Sequence, residues 1–238
     1  MTAAVASERE AELAANLDTV RRTIAVACEA AGRDPGEVTL VAVTKTFPES
    51  DVRALAALGV RDVGENREQE LKVKAAADID VRWHFVGQLQ TNKARSVARF
   101  ADVVHSVDRE SLVTALSKAR TATGARPLRC LVQVALPDDE GRPQRGGVVP
   151  DGVPALAELV AAAEGLELGG VMAVAPLGSD PERAFAELAE VAGRLRADHP
   201  AATWVSAGMS ADLDAAIRWG ATHVRVGRAL LGARPAAG

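Results

Sequence analysis

A lysine follows an apolar run near the start of the chain. In the stretch "TLVAVTKTFP", residues 39–48, the run TLVAV leads into Lys45, and Pro48 ends the segment. A lysine is seldom fully buried without a partner. If its surroundings lower its pKa, a neutral lysine amine can form a Schiff base with a carbonyl compound. The alternative is a lysine whose charged head reaches solvent at the rim of the fold.

Two loops near the end of the chain combine hydroxyl groups with glycines: "SAGMS", residues 206–210, and "RVGRALLG", residues 225–232. Gly208 and Gly227 let the backbone come close to a ligand, and Ser206 and Ser210 offer hydroxyls. Helices predicted to begin near residues 211 and 228 would direct backbone N–H groups at an anion. This pattern indicates a phosphate site. The alternative is that Ser210 only caps the helix that follows it.

Short β-rich runs alternate with Ala/Leu-rich helical patterns along the chain, after a helix predicted over residues 8–31. The predicted strands are 39–45, 60–64, 81–86, 103–107, 128–136, 167–174, 203–207 and 223–227. The predicted helices between them are 49–58, 66–77, 91–100, 109–122, 151–164, 180–198 and 211–219, and a short one begins at 228. Strands alternating with helices favour a parallel sheet, and eight such units favour a single (β/α)8 TIM-type barrel over an open doubly wound sheet. The segment 137–152 is the long irregular connection.

A barrel of this kind would bring the candidate residues together. Active sites of such barrels lie at the C-terminal ends of the strands. Lys45 and both loops then share one face, and the "GEN" segment, Gly64–Glu65–Asn66, joins them. A lysine amine beside a phosphate site suits a carbonyl compound that bears a phosphate, such as pyridoxal 5′-phosphate (PLP) or a phosphorylated sugar.

Composition excludes several other classes of function. The 238 residues carry a formal net charge of −4, and no basic run points to nucleic acid. We expect Cys28 and Cys130 to be buried thiols, His84 to be a satisfied core residue and Asp138 to be a solvated loop charge. No metal-ligand spacing is present. The N-terminus lacks the features of a signal peptide and no apolar run reaches transmembrane length, so we expect a cytoplasmic protein.

The chain resembles the pyridoxal phosphate homeostasis proteins (the YggS/PROSC-type PLP-binding proteins). The motifs that carry the resemblance are "VAVTKTFP", "VGENREQE", "WHFVGQLQTNK", "GGVMAV" and "SAGMSADLDAAIRWGATHVRVGRALLG". They span nearly the whole chain in family order. The resemblance implies one PLP-binding barrel domain over residues 1–238, of the alanine-racemase N-terminal-domain type, with an extra N-terminal helix.

The resemblance also implies roles for individual residues. PLP would be held as a Schiff base on Lys45, with Asn66 near the ring and Arg225 facing the pyridine nitrogen. The phosphate would lie at Ser210 and the backbone around Gly227, lined by Ser206 and Met209 and completed by Arg228. Partners would be PLP itself and, transiently, PLP-dependent apoenzymes, without nucleic acid or membrane, and the protein would be a monomer or weak homodimer.

Three positions depart from the family pattern. Arg67 replaces a tyrosine after "GEN", Arg228 replaces a hydroxyl residue after "VR-G", and Arg145 takes the place of a lysine in the long loop. An arginine cannot form a Schiff base with PLP, which puts transfer through a second lysine at that loop in doubt.

The family resemblance leaves carrier and enzyme to be distinguished. Alanine racemases use a tyrosine from a second domain as their second base, and this chain has 0 Tyr. We therefore expect a protein that stores, buffers or delivers PLP. The alternatives are a slow racemase-like PLP enzyme with Lys45 as its only base, and a Schiff-base aldolase without PLP.

Overall fold

The computed structural model describes residues 2–138 and 146–233, without the side chains of residues 2–7. Its centre is a closed barrel of eight parallel strands in sequential order, so the predicted barrel is confirmed and the open sheet is not found. The strands are β1 (Thr39–Val43), β2 (Asp62–Glu65), β3 (Arg82–Phe85), β4 (Val103–Val107), β5 (Leu128–Gln133), β6 (Leu166–Met172), β7 (Trp204–Ser206) and β8 (His223–Val226).

Helices follow the strands and surround the barrel. They are α1 (Thr2–Ala30), α2 (Glu49–Ala57), α3 (Glu68–Ala75), α4 (Ala94–Phe100), α5 (Glu110–Thr121), α6 (Val153–Ala162), α7 (Pro181–Asp198), α8 (Leu213–Arg218) and α9 (Arg228–Leu231). Single 3₁₀ turns lie at Pro35–Glu37, Thr91–Lys93 and Pro150–Gly152. The eight predicted strands are all present, and their ends differ from the predicted ones by a few residues. Residues 139–145 of the predicted long loop lie outside the described chain.

The N-terminal helix is tied to the end of the barrel. Leu13, Leu17, Val20 and Ile24 repeat at helical spacing and are buried, which gives α1 one apolar face. α1 packs against α8 and α9. The Asn16 side-chain amide donates to the Leu230 carbonyl over 3.0 Å, which holds α9 in place directly after β8. Within the described residues, none of the helices combines the length and apolar composition needed to cross a bilayer.

Candidate cofactor site

Lys45 lies in a turn directly beyond β1. The predicted strand 39–45 was too long, because β1 ends at Val43 and Thr46 adopts a left-handed backbone with φ 70°. The Thr46 amide donates to Glu70 Oε2 over 2.6 Å, which stabilises this unusual conformation. Lys45 is half-buried. Lys45 thus lies at the C-terminal mouth of the barrel, in a turn that α3 holds through the bond between Glu70 and the Thr46 amide.

A buried ion pair supports the same turn from below. Lys74 Nζ donates to the Thr44 carbonyl over 2.8 Å and to Glu65 Oε1 over 2.6 Å. The Thr44 hydroxyl donates to the same Glu65 oxygen over 2.6 Å. Glu70 Oε2 lies 3.7 Å from Lys74 Nζ. We call Thr44, Glu65, Glu70 and Lys74 the Lys74 clamp, because they hold the backbone on both sides of Lys45.

The carboxyl group of Glu65 has an unusual environment. Glu65 is fully buried, and its Oε2 has no hydrogen-bond partner among the described residues. Burial raises the pKa of this carboxyl, while the Lys74 ammonium and the hydroxyl of Thr44 act to lower it. Lys74 is what makes a buried carboxylate tolerable at this position. The sequence did not predict this pairing of Lys74 with Glu65, because Lys74 lies among other charged residues of α3 and such a pattern is typical of a solvent-exposed helix.

Asn66 lies at the start of the loop that follows β2 and is half-buried. A Cβ atom at position 87 would lie 2.2 Å from the Asn66 carbonyl oxygen, so only glycine allows the loop after β3 to pass so close. Gly87 therefore fixes the position of Asn66 on the mouth of the barrel, two strands along from β8.

Glycines shape the two loops after β7 and β8. Gly208 has φ +87°, and a Cβ there would lie 2.6 Å from the Ala216 Cβ. Its carbonyl accepts from the Arg225 amide over 3.0 Å, which joins the loop after β7 to β8. A Cβ at Gly227 would lie 3.3 Å from the Val43 carbonyl oxygen. The end of β8 is thus packed against the end of β1, two residues before Lys45.

Ser210 does not cap the following helix. The predicted helix 211–219 begins instead at Leu213 with Asp212 as its N-cap, and Asp212 Oδ1 accepts from the Met209 amide over 2.6 Å. The alternative interpretation of Ser210 as a cap is therefore wrong. Ser210 is exposed, and neither its hydroxyl nor its amide bonds to another residue in the described ranges. The amide of Arg228, the first residue of α9, is likewise without a backbone acceptor there.

Ser206 and Arg225 form a buried pair beneath these loops. Arg225 Nη1 donates to Ser206 Oγ over 2.7 Å, and Arg225 Nη2 donates to the Ala173 carbonyl over 2.9 Å. Burial lowers the pKa of Arg225 to about 10, which leaves it charged at neutral pH. The Ser206 hydroxyl also contacts His105 Nδ1 at 2.9 Å. The expectation that Ser206 offers its hydroxyl to a phosphate does not match this geometry, because Arg225 and His105 already engage it.

Three buried histidines, His84, His105 and His223, fill the barrel interior below Arg225. His84 contacts Asp62 and His105, as expected for a satisfied core residue. The ring of His223 stacks on Trp204 with centroids 3.9 Å apart. Burial lowers the pKa of all three, that of His223 to about 3. They are therefore neutral at physiological pH.

The other sequence expectations have mixed outcomes. Cys28 and Cys130 are buried free thiols, as predicted, and burial raises the pKa of Cys130 to about 12. Asp138 is buried, so its interpretation as a solvated charge was wrong. Met209 and Arg228 are exposed on the barrel mouth. Arg145 lies outside the described residues.

The family model for the N-terminal domain of alanine racemase matches residues 15–235 of the chain. A pyridoxal phosphate homeostasis protein of Mycobacterium tuberculosis (strain H37Rv) is 46% identical over 244 aligned positions, which cover 95% of each chain. One of Escherichia coli K12 is 37% identical and covers 94% of this chain and 97% of the relative.

A solved structure is similar to the whole barrel. PipY of Synechococcus elongatus, solved with PLP bound, superposes with a TM-score of 0.78 at 33% identity. The superposition covers 92% of this chain and 100% of PipY. These matches extend over nearly the whole chain at identities well above those that indicate fold alone. The chain belongs to the family of pyridoxal phosphate homeostasis proteins.

Proposed function

We propose that this protein binds PLP at the C-terminal mouth of the barrel and stores, buffers or delivers it. The observation that carries the proposal is the packing of Gly227 against the end of β1, which brings the phosphate loops beside the turn that bears Lys45. Membership of the family and the PLP bound in PipY support it.

The residues present at the mouth fit PLP. The cofactor has an aldehyde, a phosphate and a pyridine nitrogen, and the site offers an amine, a hydroxyl with open amides, and a buried guanidinium. Bound PLP supplies an electrophilic aldehyde, which a neutral lysine amine can attack to form a Schiff base. We assign that amine to Lys45. The Lys74 clamp fixes the backbone at Thr44 and Thr46, so the Lys45 side chain starts from a defined position.

We assign the phosphate to the two glycine loops. The Ser210 hydroxyl and the amides of Ser210 and Arg228 supply donors that the described residues leave open. Gly208 and Gly227 keep these loops close to the barrel, with Met209 at the rim. The exposed Arg228 guanidinium adds a positive charge to the loop after β8. We leave Ser206 below this site as a support for Arg225.

We assign Arg225 to the pyridine nitrogen. A guanidinium is charged at physiological pH and only donates hydrogen bonds, so it disfavours a protonated ring nitrogen beside it. An unprotonated ring withdraws electrons weakly, which disfavours cleavage of bonds at the α-carbon of an amino acid. The content of 0 Tyr, which leaves no tyrosine as a second base, favours a carrier over a racemase-like enzyme.

The proposal is tested by titrating the apo-protein with PLP and measuring visible absorption. Wild type should develop the absorption of a lysine Schiff base, and Lys45→Ala should not. Lys93→Ala is the matched control, because Lys93 lies on the same barrel face and pairs with Glu68 at 3.6 Å. Wild type that stays colourless would contradict PLP binding. Loss of the signal in both variants would contradict the assignment to Lys45.

Two further assays separate carrier from enzyme. The loaded protein should activate an apo PLP-dependent enzyme, and it should exchange the α-hydrogen of alanine no faster than free PLP does. Faster exchange that disappears in Lys45→Ala would favour the racemase-like alternative.

A further inference from the structure

Four buried polar side chains form a continuous row of hydrogen bonds through the barrel interior to Arg225. Asp62 Oδ1 lies 2.8 Å from His84 Nε2, and His84 Nδ1 lies 2.8 Å from His105 Nε2. His105 Nδ1 lies 2.9 Å from Ser206 Oγ, which Arg225 Nη1 contacts at 2.7 Å. We call Asp62, His84, His105 and Ser206 the interior chain. Each member is less than a tenth exposed.

The row connects the two ends of the barrel. Asp62 is the first residue of β2, and Ser206 is the last residue of β7. The contact between His105 on β4 and Ser206 on β7 crosses the interior between strands that are not neighbours. At the far end, Arg82 Nη1 lies 3.1 Å from Asp62 Oδ1. The interior chain therefore links the Asp62 carboxylate at the base of the barrel with the Arg225 guanidinium beneath the cofactor site.

The carboxylate end of the row and the neutral state of both rings fix the direction of every hydrogen bond. A guanidinium only donates and an ionised carboxylate only accepts. An ionised Asp62 accepts from His84 Nε2–H, so the neutral His84 ring accepts at Nδ1 from His105 Nε2–H. The neutral His105 ring then accepts at Nδ1 from the Ser206 hydroxyl, whose oxygen accepts from Arg225 Nη1. Both rings are neutral with the proton on Nε2, and every polar atom named in the row has a partner.

Ionisation of the groups agrees with this assignment. Burial lowers the pKa of His84 and His105, and the positive charge of Arg225 lowers that of His105 further. Burial alone would raise the pKa of Asp62, but the hydrogen bond from His84 and the nearby Arg82 outweigh burial and lower it. Aligned hydrogen bonds in a low-dielectric interior polarise one another, which strengthens the whole row.

We propose that Asp62, His84, His105 and Ser206 are positioning residues that hold the guanidinium of Arg225 in one orientation beneath the pyridine ring of PLP. The Ser206 hydroxyl and the Ala173 carbonyl restrain both Nη groups, and the interior chain restrains Ser206 in turn. The role at the ring rests on the proposed function; the direction of the hydrogen bonds does not. Without His105, the Ser206 hydroxyl is free to rotate, which weakens the restraint on Arg225 Nη1 and leaves the Ala173 carbonyl as the fixed partner of Nη2.

The direction is tested on the unmodified apo-protein by NMR with ¹⁵N-labelled histidine. We expect His84 and His105 at pH 7 to carry one proton each, on Nε2. A proton on Nδ1 of either ring, or an imidazolium, would contradict the direction of hydrogen bonds assigned to the interior chain. This measurement needs no substitution and no PLP, so it stands even if the protein fails to bind the cofactor.

The positioning role is tested by His105→Leu, with His223→Leu as the matched control. His223 is also a buried histidine of the barrel interior, but it takes no part in the hydrogen bonds of the interior chain. We expect His105→Leu to weaken PLP binding about 10-fold and to change the visible spectrum, and His223→Leu to leave both nearly unchanged. Equal effects of the two variants would reduce His105 to a packing residue.

A double-mutant cycle addresses whether His105 acts through Arg225. In an Arg225→Met background, His105→Leu should have little further effect on PLP affinity, because the group it positions is gone. Full additivity would refute the proposal. If His105→Leu does not fold, the milder Ser206→Ala can replace it in the same cycle. Failure of wild type to bind PLP would instead contradict the proposed function.

Discussion

Replacing Lys74 with methionine tests the buried clamp beneath Lys45. Lys74→Met keeps the length of the side chain and removes its charge. The Glu65 carboxyl then stays fully buried with only the Thr44 hydroxyl as a partner among the described residues. We expect the variant to be less stable than wild type at neutral pH. We also expect it to bind PLP more weakly, because the Thr44 carbonyl loses one of its two donors and keeps only the Phe47 amide.

The loss of stability in Lys74→Met can be estimated from the burial of the Glu65–Lys74 ion pair. Removing one partner of a buried ion pair costs about 3–5 kcal/mol, because the other charge is left uncompensated. Glu65 relieves part of this cost by taking up a proton, since its pKa is already raised and Lys74 no longer lowers it. The folded state then binds a proton that the unfolded chain, with a Glu pKa of about 4.3, has released. Stability of the variant therefore falls as pH rises, by up to about 1.4 kcal/mol per pH unit.

The assay is urea unfolding of the apo-protein at pH 5.5 and at pH 8. The loss relative to wild type should be larger at pH 8. Lys72→Met is the matched control, because Lys72 lies on the exposed side of the same helix, and a surface change of this kind costs at most about 0.5 kcal/mol. Adding Glu65→Gln to Lys74→Met should restore much of the stability.

Two results would refute this reasoning. The first is a Lys74→Met variant no less stable than Lys72→Met, which would mean that the pair does not hold the turn. The second is a loss that is the same at both pH values, which would mean that the Glu65 charge is not the cause.

Three further predictions concern the phosphate loops and the interior. Ser210→Ala should weaken PLP binding by about 10- to 150-fold, the equivalent of about 1.5–3 kcal/mol for a hydrogen bond to a charged group; equilibrium titration giving wild-type affinity would leave the phosphate to the backbone amides. Gly208→Ala should destabilise the fold by about 1–3 kcal/mol more than Gly220→Ala. Both glycines have φ near +88°, but only a Cβ at position 208 would clash with a neighbour, the Ala216 Cβ at 2.6 Å. Equal shifts of the thermal unfolding midpoint in the two variants would argue against that clash. The three buried histidines have lowered pKa values in the folded protein, so the unfolded chain takes up protons at a higher pH than the folded one. The stability of the fold should therefore decrease as pH drops below about 6.5, by up to about 1.4 kcal/mol per pH unit for each ring. Equal unfolding midpoints at pH 7 and pH 5 would contradict the burial of these rings in the neutral form.

The barrel could be predicted because its signals are local. Each strand is a short apolar run and each helix a periodic one, and the order of elements limits the possible topologies. The ends of elements were less predictable. Lys45 lies beyond the end of β1 because Thr46 adopts a left-handed conformation that Glu70 stabilises. Neither threonine nor glutamate is a residue type that predicts such a turn.

The contacts within the candidate site were harder to predict because they join distant residues. Serine and aspartate are both good N-caps, so only the backbone path shows that Asp212 and not Ser210 is the N-cap of α8. The partner of His105 is Ser206, 101 positions away, and no local pattern indicates that contact. Lys74 and Asp138 carry charges that usually lie in solvent, and burial by the rest of the fold gives them a different environment.

If the proposed function is right, Lys45 holds PLP at the mouth of the barrel. The most direct measurement is the visible absorption spectrum of the purified protein with added PLP, followed by borohydride reduction and peptide mass mapping. We expect a yellow protein with the phosphopyridoxyl mass on the peptide that contains Lys45. A protein that stays colourless, or a label on another lysine, would contradict it.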